Sequence, residues 1–239
     1  MRAVAEYWLA LTLGFWVTAW VSVCIFLGAA LGAVVLGALR LSKTPAIRIA
    51  SMLFVELIRA PSALVLLFWV FYALPLLPGM PRLPPLTAAI LVLAFDGAAY
   101  GAEIVRAGIE AVPRGQTDAC HALGLSKLQS FMKVILPLAL SQIVPAFGSL
   151  TRSMIKWTAI VSFIGVQDLL YVANYIRGQT YDTVIVFGLL AALYWILTVL
   201  CGAAFSALEQ VLPLNRVARA ERLSVQAAAE ADAAAGTVQ

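Results

Sequence analysis

The chain has 239 residues, 63% of them hydrophobic and only 12% charged, with a mean hydropathy of +0.96. That composition excludes an ordinary soluble domain. The net charge of +4 does not signal nucleic acid, because the basic residues flank long apolar runs, as they do in membrane proteins.

A short extracytoplasmic segment, residues 1–10, is expected to precede the first span. Residues 7–39 carry no charged side chain. About 20 apolar residues cross a bilayer, whereas a signal peptide has an apolar core of only about 7–15, so this run reads as a retained span. Five spans are predicted, at 11–38, 50–77, 84–107, 136–164 and 183–208. Arg40, Lys43 and Arg48 lie between the first two, and Arg106, Arg114, Lys127 and Lys133 in or beside the connection after the third. Arg216, Arg219 and Arg222 follow the fifth. An odd number of spans puts all three basic groups on one side, which is then the cytoplasm, with the N-terminus outside. The other connections are proline-rich (78–85) or net acidic, with Asp168, Arg177 and Asp182. Residues 213–239 read as a cytoplasmic tail, partly disordered.

The fourth segment is irregular, because Arg152 and Lys156 interrupt it and 157–167 is too short to cross alone. A long helix with a bend or re-entrant turn near Gly165 fits, and such backbone is tolerated at membrane depth only when buried or lining a cavity. Cys24, Cys120 and Cys201 form neither a disulfide framework nor a metal pattern. His121 is the only histidine. No HExxH or GxSxG pattern supports a membrane-embedded enzyme.

Residues 113–137 are polar and cationic inside this apolar chain. Pro113 suits a helix start, Thr117–Leu123 makes about two turns, and Gly124 is placed to end them in the left-handed conformation. Ser126 with Gln129 forms a capping box for a second helix, which is expected to reach Pro137 at the opening of the next span. The result is a helix–Gly–helix elbow with Ala119, Ala122, Leu123 and Leu125 as an apolar face.

In its spacing, Asp118-Ala119-Cys120, three residues, Gly124, nine residues, then Val134 to Pro137, this elbow resembles the EAA loop of ABC importer permease subunits. Gly101-Ala-Glu-Ile-Val-Arg-Ala-Gly-Ile109, Val112-Pro-Arg-Gly-Gln116 and Phe54-Val-Glu-Leu-Ile-Arg59 resemble the branch that carries polar amino acids and opines. The resemblance covers about 11–212 and implies an all-α polytopic protein with the type I ABC importer transmembrane fold. Asp118, Ala119, Gly124, Leu125 and Pro137 would belong to the coupling loop (about 108–135), which sits in a groove of a cytoplasmic ATPase dimer. ATP and magnesium would bind that partner and no cofactor this chain, which has no phosphate-binding GxxxxGK[ST] loop. The other implied partners are a second permease subunit, identical or homologous, the surrounding lipid, and an extracytoplasmic solute-binding protein docking near 78–85 and 168–182. The sequence departs from the family at Asp118 (usually Glu), Cys120 (usually Ala), Arg59-Ala-Pro-Ser62 (often Arg-Gly-Thr-Pro) and Lys156-Trp-Thr-Ala159 (often Lys-Asp-Thr-Ser). An ATP-independent secondary transporter or channel subunit is the alternative reading.

Ionisable side chains within spans are costly and mark pathways or pairs. Glu56 with Arg59 and Glu103 with Arg106 are spaced i,i+3 and are expected to neutralise each other. Arg152 and Lys156 are of like sign and need an anion. Asp96 or a substrate carboxylate would serve, which makes Asp96, Arg152 and Lys156 the candidate translocation residues.

Overall fold

The computed structural model describes residues 7–211, so the predicted tail at 213–239 and its arginines lie outside the described residues. The described residues form helices and connections without a strand. Helix α1 is Trp8–Arg40, α2 Pro45–Arg59 and α3 Ala63–Phe68, which continues through a π-helical turn, Trp69–Ala73, into Leu74–Leu76. Helix α4 is Pro85–Glu110, α5 Arg114–Ala122 and α6 Lys127–Ser130. A second π-helical turn, Phe131–Ile135, leads into α7, Leu136–Trp157, which tightens into a 3-10 helix over Thr158–Ile164. Helices α8, Leu169–Thr180, and α9, Thr183–Val211, complete the chain. Among the described residues, four stretches are long and apolar enough to cross a membrane, Trp8–Arg40, Pro85–Glu110, Lys127–Ile164 and Thr183–Val211, and the bent pair Pro45–Arg59 with Ala63–Leu76 passes the same test taken together.

The second predicted span, 50–77, is not one helix. It is the pair α2 and α3, bent by 92°. The break falls at Pro61, which has no N–H to continue the ladder. Prolines shape the two π-helical turns as well. Leu74 and Leu136, the residues just before Pro75 and Pro137, donate their N–H groups five residues back, to Trp69 and Phe131. Widening the turn accommodates a ring that would otherwise crowd the preceding carbonyl. The second arm of the elbow reaches Pro137, where the next span was expected to open. The helix runs on through it.

Past Trp157 the backbone tightens and stops at Gly165, which sits in the left-handed region at φ 85°. The bend expected near that glycine is present. The connection that follows, expected as a net acidic loop, is mostly helix α8, with Leu169, Ala173 and Ile176 buried.

The described residues cluster into two compact units, one of 7–107 with 147–202 and the other of 108–146 with 203–211. In the first, Val21, Ile25 and Ala29 of α1 share a core with Leu67, Leu93, Met154 and Val161. Leu11 joins Leu169, Ala173 and Ile176 of α8 and Val186 and Leu190 of α9 in another core. Lipid supplies no hydrophobic drive between helices, so close packing by small residues does this work. A Cβ at Gly32 would stand 2.7 Å from the Ala98 Cβ, closer than methyl groups approach. Gly28 meets Ala94 and Gly101 meets Ala33 in the same seam between α1 and α4. In the second unit Gly108 lies against Ile143 in the same manner.

Candidate functional site

The elbow belongs to the second unit and is built from local signals. Helix α5 ends in two nested hydrogen bonds, Leu125 N–H to the Cys120 carbonyl and Gly124 N–H to the His121 carbonyl, each 3.0 Å. This is the Schellman pattern, which needs a left-handed residue at its corner, and Gly124 supplies it at φ 70°. A Cβ there would meet nothing within 4 Å. Within this chain glycine is therefore required for its backbone angle, not for close approach.

The capping box follows at once. Gln129 N–H donates to Ser126 Oγ at 3.3 Å, and Ser126 N–H donates to Gln129 Oε1 at 3.0 Å. These bonds fix where the second arm of the elbow begins. Cys120 is buried, which anchors α5. Asp118, Ala119, His121 and Gly124 are exposed, Leu125 and Pro137 are half-buried, and the large apolar Leu123 and Leu128 are 78% and 72% exposed. The capped corner thus leaves a carboxylate and two leucines open on the exposed part of the elbow. The sequence reading missed Leu128 as part of it, because its exposure depends on how the second arm is turned.

Of the two i,i+3 pairs expected in the first unit, Glu103–Arg106 forms and Glu56–Arg59 does not. Glu103 of α4 is the hub. Its carboxylate accepts from Arg106 Nε at 3.0 Å, pairs with Arg40 at the end of α1, and lies 3.9 Å from an Arg59 nitrogen. The Arg59 guanidinium also covers the Tyr100 ring at 4.7 Å. Glu56 is exposed and makes no ion pair among the described residues, so the predicted Glu56–Arg59 pair is not formed. Three helices meet on one acid instead. The physical reason is rotation: the face of α2 that carries Val55 and Arg59 packs toward α4, where Val55 is buried with Ala99 and Ala102, while Glu56 points away.

Asp96, Arg152 and Lys156 form no ion pair with one another among the described residues either. Asp96 is buried on α4 and lies in the field of Arg59. Arg152 donates to Ser149 Oγ at 2.9 Å and rests against Gly202 of α9, 3.3 Å from where a Cβ would stand. Lys156 is exposed, and no ion pair joins either cation to Asp96 among the described residues.

A second buried polar group, at Asp168, was not singled out by sequence. Its carboxylate caps α8, accepting from Tyr171 N–H at 2.9 Å, and takes a longer bond from the Tyr194 hydroxyl at 3.4 Å. Leu169 N–H donates to Thr18 Oγ1 of α1 at 3.0 Å. Burial pushes the Asp168 carboxyl up to about 6 from 3.8, against the hydrogen bonds from Tyr171 and Tyr194 that lower it. Its complete burial removes Asp168 from the surface expected to receive a binding protein.

Helices long and apolar enough to cross a bilayer, an ion-pair hub among them and a capped polar elbow define a polytopic membrane protein. Residues 7–212 match the family described as the binding-protein-dependent transport system inner membrane component, and the chain belongs to that family. It is thus a multi-pass inner-membrane permease subunit of an ATP-driven importer. Among curated relatives, a probable amino-acid ABC transporter permease of Sinorhizobium fredii is 36% identical over 76% of this chain and 78% of its own length. An L-cystine transport system permease of Bacillus subtilis is 30% identical over 87% of this chain and 88% of its own. Among solved structures, an amino acid ABC transporter crystallised with histidines superposes with a TM-score of 0.81 at 31% identity, covering 87% of this chain and 97% of that one. An inward-facing methionine ABC transporter, at 21% identity and a TM-score of 0.74 over 87% of this chain and 98% of that one, shares the type I importer fold.

Proposed function

We propose that this permease carries a polar amino acid or a related small zwitterion into the cell. The solute class is that named for the relatives of S. fredii and B. subtilis. The observation that carries the mechanism is the locked elbow, whose Schellman corner at Gly124 and capping box at Ser126 fix its turn while Asp118, Ala119, Leu123 and Leu128 stay exposed. In this reading the elbow faces the cytoplasm, the N-terminus lies outside, and a separate ATPase dimer seats the elbow in a groove. Asp118 offers a carboxylate to a cation or helix N-terminus of that partner, and the leucines fill its apolar floor. Closure of the ATPase on ATP and magnesium then moves the spans as rigid bodies between two states. This chain binds no cofactor of its own.

A second permease subunit completes the path, and an extracytoplasmic binding protein delivers the solute. The exposed surfaces available to it are the 78–85 connection and the outer face of α8, where Tyr171 and Tyr175 are exposed. Asp96, Arg152 and Lys156 act separately: Asp96 balances Arg59, while Arg152 and Lys156 are the cations open to a solute carboxylate. The test is uptake into proteoliposomes. Transport is expected only with the ATPase, ATP and loaded binding protein together, and uptake by this chain alone would refute the coupling role.

A further inference from the structure

Asp96 lies near the middle of α4, a helix long and apolar enough to cross the bilayer, and only 4% of the residue is exposed. Burying a carboxylate at that depth is costly unless a cation or hydrogen bonds answer it. Among the described residues Asp96 accepts no hydrogen bond and joins no ion pair. It is not sealed away, however: neither carboxylate oxygen is fully enclosed by protein.

Packing puts this carboxylate where α2, α4 and α7 meet. A Cβ at the adjoining Gly97 would stand 2.6 Å from Met154 Cε of α7. Tyr100, one turn on from Asp96 along the same face of α4, is tilted against Trp157 of α7 at 5.6 Å and lies under the Arg59 guanidinium of α2. No cation of these helices takes the acid. Arg59 acts on Asp96 through its field alone, while its guanidinium leans on Glu103 at 3.9 Å. Arg106 is bonded to Glu103, and Arg152 donates to Ser149 Oγ. Arg48 and Lys156 are exposed and join no ion pair among the described residues.

A carboxylate that is buried, reachable and bonded to no protein cation selects a small cation from outside the chain. A divalent metal needs several oxygen ligands, and no group of three or more acidic, histidine or cysteine side chains assembles among the described residues. An ammonium group needs one strong acceptor and is further favoured near aromatic rings, which Tyr100 and Trp157 supply. We propose that Asp96 is a specificity-determining residue of the transport path, its carboxylate receiving the ammonium group of the solute. The assignment rests on the amino-acid reading above and adds what that reading leaves open, the group on this chain that demands an amine.

The test uses the complete transporter, with its second permease subunit and ATPase, in nanodiscs and without binding protein, so that retained label reports the permease alone. The proteinogenic L-amino acids are offered one at a time as tritiated labels in a scintillation proximity assay. The wild type is expected to bind its amino acid about thirty-fold more tightly than the 2-hydroxy acid with the same side chain, the effect of removing one partner of a buried charge pair. Asp96→Asn should lose about thirty-fold in affinity for the amino acid and bring the two compounds close to parity. Asp96→Glu keeps the carboxylate and should keep the preference. A wild type that binds both compounds equally, an Asp96→Asn variant that still prefers the amine, or an Asp96→Glu variant that loses the preference would overturn the site and leave the amino-acid reading intact. Retention of no amino acid by the wild type would overturn both. A complex that falls apart on size exclusion in Asp96→Asn would give the carboxylate to a pairing between subunits and overturn the site alone.

Discussion

Arg59 lies over the Tyr100 ring at 4.7 Å and leans toward Glu103, not toward Glu56 in its own helix. One carboxylate thus gathers Arg40, Arg59 and Arg106. Glu103→Gln is expected to remove the negative charge that Arg40, Arg59 and Arg106 share and to cost about 1.5–3 kcal/mol, the worth of hydrogen bonds to a charged group. Glu56→Gln should stay within about 0.5 kcal/mol of wild type, as an exposed substitution does. Thermal unfolding followed by size-exclusion in detergent checks the contrast. Equal losses in the two variants would remove Glu103 from its central place.

The elbow gives a graded series. Gly124 occupies the left-handed region with open space around it. An L-residue there costs about 1–2 kcal/mol, with asparagine the most tolerant. ATP-driven uptake should therefore fall in the order wild type, Gly124→Asn, Gly124→Ala, Gly124→Val, while membrane insertion is unaffected. Ser126→Ala removes the cap, worth about 1 kcal/mol, and should weaken coupling similarly. Normal uptake in Gly124→Val would contradict a rigid corner.

Two glycines in apolar helices should respond oppositely. Gly32→Ala places a methyl 2.7 Å from the Ala98 Cβ, and overpacking of this kind costs about 1–3 kcal/mol. Gly188 has nothing within 4 Å of its would-be Cβ. Gly188→Ala should be neutral or stabilising by up to about 1 kcal/mol, the difference in helix propensity. Melting temperatures of the two variants against wild type decide this.

Asp168 predicts a pH dependence. Its folded value of about 6 lies above the ordinary 3.8 because burial disfavours the charged form. The folded state therefore holds the proton more tightly than the unfolded chain. The contribution to stability is greatest below 3.8 and is lost as pH rises through about 6, then levels off. Asp168→Asn keeps an oxygen for the Tyr171 N–H and should flatten this slope in unfolding measured from pH 4 to pH 8. Asp168→Ala should instead cost about 0.5–2 kcal/mol at every pH through loss of the cap. An unaltered slope in Asp168→Asn would assign the dependence to another group.

Much of the elbow was legible because its determinants are neighbours in sequence. The Ser126–Gln129 box and the Gly124 corner each act over six residues or fewer. Gly165 was legible for the same reason, since a short apolar run after Lys156 has to turn. Pro61 and Pro137 were harder. A proline forbids one hydrogen bond, but whether the chain then breaks, as at Pro61, or widens into a π-helical turn, as before Pro137, depends on what packs around it. The expected Glu56–Arg59 pair followed a rule for isolated helices, and a stronger acid site on a neighbouring helix took the arginine.

Composition and pattern alone determined that the chain crosses the membrane repeatedly, where its polar elbow lies, and how that elbow is capped. These are properties of segments, set by hydropathy and by hydrogen bonds between near neighbours. Only the tertiary structure decided that α2 and α3 meet at 92°, that Glu103 serves three arginines, that Asp168 is a buried cap, and that Gly32 seats Ala98. Each depends on the rotation of one helix about its axis against another. Every turn of an apolar helix offers several faces of similar hydropathy, and only packing chooses among them.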